Sequence, residues 1–77
     1  MTSGFDEGYS AALFLSVSHV MKAEKILLKE CIPHKIIPVP RELSSDCGVC
    51  IRFEAEREYA IRKALEGNVE IREIVTL

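Results

Sequence analysis

With 77 residues, 48% of them apolar, and a formal net charge of −2 from 10 basic and 12 acidic side chains, the chain has the composition of one small globular domain. Charges of both signs are interspersed, so there is no basic stripe for nucleic acid, and the longest apolar run, 11–15, is far too short to span a membrane. Three cysteines, an odd number in a chain that lacks the basic start and long apolar block of an export signal, argue against a disulfide scaffold and for reduced thiols in the cytoplasm.

A single core of this size is marginal without staples, metal or self-association, so a homodimer is one expectation from length. Residues 1–10 are polar and aperiodic and read as a flexible leader, leaving 11–77 as one domain. The run 11–17 is hydrophobic but for Ser16 and suits a strand covered on both sides. Ser18 is the expected cap of a helix whose apolar positions Val20, Ala23, Ile26 and Leu27 recur at helical spacing, with Lys22, Lys25 and Lys29 facing water. Pro33 stops this helix, and Cys31 at its end reads as a small buried residue. The second strand, 35–40, carries Pro38 and Pro40. Prolines two residues apart remove ladder donors from one side only, which an edge strand tolerates.

A turn-rich loop follows over 41–46. Val49, Ile51 and Phe53 then alternate with Cys50, Arg52 and Glu54, the two-residue period of a strand with one face in the core. Helical spacing returns over 55–66 through Tyr59, Ala60, Ala64 and Leu65, and Gly67-Asn68 closes it. The last strand is expected over 69–75. The order β-α-β-β-α-β, with right-handed crossovers, predicts an α+β ferredoxin-like sandwich: a four-stranded antiparallel sheet with two helices on one face. Strands one and three are then central, while the prolines and the charged Glu70, Arg72 and Glu73 fall on the two edges.

Cys47-Gly48-Val49-Cys50 lies where the polar loop meets the third strand. Two thiols at this spacing suit a redox couple, half a zinc site, or one reactive thiol with a resolving neighbour. The topology sets Cys47 beside the opening turn of the first helix, 16–19, whose unpaired N–H groups favour an anion, with His19 as a candidate partner for a thiolate. Gly48 leaves room for close approach, whereas Asp46 opposes ionisation. The plainer alternatives are a small buried cysteine at a strand start and an exposed histidine in a first helical turn. Cys50 is expected on the helix-free face, half covered, either as a resolving thiol or as an ordinary strand residue.

Cys31-x-x-His34 with Cys47-x-x-Cys50 imitates a zinc ligand set, but the second strand separates His34 from Cys47 by about 20 Å, so no metal or other cofactor is expected. A thioredoxin-like site requires its first cysteine at a helix start, and no glycine cluster precedes either helix to cradle phosphate. Ser44 and Ser45 can bind an anion, though such pairs are commoner as turn residues, and Arg41 and Arg52 can draw an acidic group toward the thiol.

The segments Ala23-Glu24-Lys25-Ile26-Leu27, Ile32-Pro33, Ile37-Pro38-Val39-Pro40-Arg41 and Ser44-Ser45-Asp46-Cys47-Gly48-Val49-Cys50-Ile51-Arg52-Phe53 resemble the Putative selenium/sulfur carrier protein-like family, across 13–75. Ser-Ser-x-Cys-Gly is the most specific part, and Ser18-His19 resembles the family's helix-opening segment. The resemblance implies a carrier rather than a stand-alone enzyme. Cys47 would hold sulfur or selenium as a persulfide or selenosulfide, taken from a donor protein and passed to an acceptor protein by exchange, and Cys50 would suit release. The competing expectation is a regulatory or adaptor module that binds a small ligand or protein, with incidental thiols.

Overall fold

The computed structural model of the protein describes residues 8–39 and 48–77. Arg41, Ser44, Ser45, Asp46 and Cys47 therefore lie outside the described residues. The elements run β1 (Tyr9–Leu13), α1 (Val17–Lys29), β2 (Lys35–Pro38), β3 (Val49–Glu54), a 3-10 turn (Ala55–Arg57), α2 (Glu58–Leu65) and β4 (Glu73–Thr76). They build the expected α+β, ferredoxin-like arrangement, one sheet in the order β2-β3-β1-β4 with every neighbouring pair antiparallel. β1 and β3 are central.

The backbone explains why β2 takes an edge. Val39 donates its N–H to Gly48 O at 3.0 Å, so alternate residues of β2 face β3 and Pro38 faces outward, where its missing donor costs no ladder bond. β1 opens at Tyr9, two residues earlier than expected, so Tyr9 and Ser10 belong to the sheet and not to the leader stretch. It also stops earlier. Ser16 breaks the apolar run with an extended backbone, and its hydroxyl accepts the His19 N–H at 3.4 Å, which makes Ser16 and not Ser18 the cap of α1.

At the other end of α1, Ile32 N–H reaches Leu27 O at 2.9 Å and Cys31 N–H reaches Leu28 O at 3.1 Å, a Schellman closure. Such a closure needs a left-handed residue, and Cys31 supplies it with φ 60°. Cys31 is consequently exposed and not buried as its place in the helical pattern suggested. A side chain in this conformation is strained where glycine is not, so Cys31→Gly is expected to raise stability by about 1 kcal/mol. Urea unfolding measures this as a higher midpoint at unchanged slope.

Between the sheet and the helices lie Ala12, Phe14, Val20, Ala23, Leu27, Ile51, Phe53, Ile61, Leu65 and Val69. The period-two alternation of β3 holds, with Ile51 and Phe53 on this side and Cys50 on the other. α2 is shorter than its pattern suggested because Ala55–Arg57 winds as a 3-10 turn. Its inward residues are Ile61 and Leu65, whereas Tyr59, expected among the apolar positions, is 75% exposed. Gly67 takes a positive φ of 79° after the helix, as the Gly67-Asn68 pair suggested. Val69 then enters the helix-side core instead of opening a strand, and sheet pairing resumes where Arg72 N–H donates to Leu13 O at 2.8 Å. β4 is thus Glu73–Thr76, which leaves Glu70 and Arg72 in the preceding loop. No helix among the described residues is long and apolar enough to cross a membrane.

Candidate functional site

Because β3 runs antiparallel to β1, with Ala12 opposite Ile51, the start of β3 lies at the end of the sheet where β1 finishes and α1 begins. Gly48 is there, exposed, with φ 82°. That angle explains the glycine, since an L side chain at this point would strain the backbone. The space a Cβ would take is open, so the backbone at Gly48 is approachable from solvent.

The same end carries Ser16, Ser18 and His19. Ser16 Oγ and His19 Nδ1 share a hydrogen bond of 2.7 Å, a side-chain link across the first turn of α1 that fixes the ring beside the cap. Ser18 is exposed in that turn. Together with Lys22, these two residues line a shallow cleft of about 210 Å³ whose far wall is Asn68, Val69 and Glu70 from the loop between α2 and β4. His19 is thus gathered with the α2–β4 loop. Sequence reasoning missed Ser16, Lys22, Asn68 and Glu70 as its neighbours. The serine three residues before His19 was the available signal for the cap, and nothing local pointed to the loop, which arrives from far along the chain.

Cys50 sits on the face away from the helices, with no exposed surface. It packs with Ala11 and Leu13 among Ile37, Val39, Val75 and Leu77. That differs from the half-covered position expected for it. A resolving thiol has to reach the sulfur it attacks, and a cysteine sealed at the centre of an apolar cluster behaves first as a small hydrophobic residue.

Cys31 and His34, the other half of the imitation zinc pattern, lie at the opposite end, where α1 hands over to β2. The His34 ring is already engaged: Nδ1 is 2.8 Å from Ile32 O, and Nε2 is 3.5 Å from Glu24 Oε2. Among the described residues no three His, Cys, Asp or Glu side chains gather as a metal site. Arg52, the second arginine singled out in the sequence, stacks its guanidinium 4.6 Å from the centre of the Tyr9 ring, near the end of β3 remote from Gly48.

The chain is 32% identical over 62 residues to an uncharacterized protein of Methanocaldococcus jannaschii, the aligned part covering 80% of this chain and 31% of that protein. It therefore spans about a third of the length of the curated relative it matches. No solved structure matches it. Residues 9–76, from the first residue of β1 to the last of β4 and including the Cys47-Gly48 segment, match the family described as Putative Se/S carrier protein-like, and the chain belongs to that family.

Proposed function

We propose that the protein carries sulfur or selenium on Cys47 and exchanges it with donor and acceptor proteins. What carries this reading is the family match over residues 9–76, because it spans Cys47-Gly48. Supporting it, the backbone next to Cys47 in sequence is approachable at Gly48, at the end of the sandwich where α1 presents its first-turn N–H groups.

The chemistry is an exchange without net oxidation. The Cys47 thiolate attacks the outer sulfur of a donor persulfide, R–S–SH. A bond forms between Cys47 Sγ and that sulfur, the donor's S–S bond breaks, R–S⁻ leaves, and Cys47 holds –S–SH. An acceptor thiolate removes the outer sulfur by the same step and returns Cys47 to its thiolate. A selenosulfide follows the same course with selenium as the transferred atom. Release by Cys50 would require its thiolate to attack Cys47 Sγ, expel hydrosulfide and leave an intramolecular disulfide. The burial of Cys50 favours release to the partner's own thiol, so the proposal assigns Cys50 to packing.

Site-resolved alkylation at neutral pH tests the reading, with the three cysteines followed separately by peptide mass. Cys47 is expected to react faster in the folded chain than after denaturation. Exposed Cys31 gives the accessible-thiol reference, and Cys50 is expected to be protected. A Cys47 rate no higher in the folded chain than in the denatured one removes the physical basis of carriage and favours the adaptor alternative.

A further inference from the structure

Around α1 the side chains sort into three rows. Val20, Ala23 and Leu27 are buried against the sheet. Val17, Met21 and Leu28, spaced by four and seven residues, share a second side of the helix and are 50%, 47% and 63% exposed. Lys22, Lys25 and Lys29, spaced by three and four, form a third row beside it, all exposed. Among the described residues none of these lysines makes an ion pair. The other border of the apolar row is Glu24, whose carboxylate faces His34.

Of the five large exposed hydrophobic side chains among the described residues, four are Leu15, Val17, Met21 and Leu28, with Leu15 one residue before the cap of α1. The apolar row spans about 16 Å at 1.5 Å per residue. Its Val17 end is the end of the sandwich that holds Gly48.

We infer that the outer side of α1 is the docking surface for a partner protein that presents apolar side chains bordered by carboxylates. Charge selects this occupant. A two-fold contact between copies would set each lysine row in the same interface as its duplicate, so like charges oppose a second copy. An anionic membrane is opposed by the net charge of −2 and by the lack of an aromatic anchor in the row. An acidic border on a protein surface meets the three lysines, and Met21 offers an adaptable apolar contact. The inference deepens the carrier reading, since a partner seated here is held at the end of the domain that carries Gly48, but it rests on α1 alone.

The test uses the full chain and two synthetic helical peptides with identical leucine spacing, one bordered by glutamates and one by lysines, titrated in amide-resolved NMR. The glutamate peptide is expected to shift the amides of Val17, Met21, Lys25 and Leu28, with binding lost at about 1 M salt, where the screening length is about 3 Å. Lys25→Glu with Lys29→Glu is expected to weaken it about tenfold or more, and Leu28→Ser to weaken it without salt dependence. Equal binding of the lysine peptide, shifts away from α1, concentration-dependent dimerisation through α1, or binding to phosphatidylserine vesicles in place of the acidic peptide would each overturn the inference. Cys47→Ser is expected to bind the peptide as the parent does. Failure of sulfur loading with peptide binding intact therefore counts against the carrier reading alone, and the converse counts against the docking surface alone.

Discussion

Incubated with a low-molecular-weight persulfide, the protein is expected to gain the mass of one sulfur atom, and Cys47→Ser to gain none. The comparison is made in a Cys31→Ser background, which removes the exposed thiol on the far end of the domain. Serine has the size of cysteine but its hydroxyl is no nucleophile at neutral pH, so the variant isolates the chemistry from the packing. Cys50→Ala gives the second arm. Its sulfur is fully buried among Ala11 and Leu13, so its loss is expected to lower stability by about 1 kcal/mol, the scale of a small core deletion, and to leave loading intact in the folded protein. Intact-mass measurement reads both arms. Loading that survives Cys47→Ser, or that disappears with Cys50→Ala in a chain still folded by circular dichroism, sinks the assignment of the carrier role to Cys47.

Phe14→Ala is expected to cost about 3–5 kcal/mol, because the ring is fully enclosed between the sheet and both helices. A chain of this length has about 4–12 kcal/mol in total, so much or all of its folded population is at stake. Phe14 continues β1 toward Ser16, and its burial anchors the junction from which α1 starts. Tyr59→Ala, on the outer side of α2, is the control and is expected to change stability by no more than about 0.5 kcal/mol. Urea unfolding followed by circular dichroism measures both. A Phe14→Ala variant as stable as the parent would contradict the core described above.

Backbone chemistry made the sheet legible in the residues themselves. Pro38 lacks a donor wherever it is placed, and the alternation from Val49 to Phe53 sets Ile51 and Phe53 on one face, so the edge and the inward face of β3 followed from local properties. Helical spacing at Val20, Ala23 and Leu27 identified the inner side of α1 for the same reason. The point where β1 gives way to α1 was not legible. The run 11–17 is apolar almost throughout and has no period of its own, so only Ser16 in its extended backbone separates a strand from a helix there.

The cysteines divide along the same line. The sequence by itself determined that Gly48 and Cys50 stand at the entrance to a strand, since that depends on chain order and on the alternation that follows. Tertiary structure decided that Cys50 is sealed and Cys31 exposed, because burial depends on which surfaces meet across the fold, and neighbouring letters do not record that. It also brought Asn68 and Glu70 to His19, and set Ile61 rather than Tyr59 into the core. Contacts between residues about fifty positions apart arise from closing the sandwich, and their energy comes from the whole buried surface rather than from any local segment.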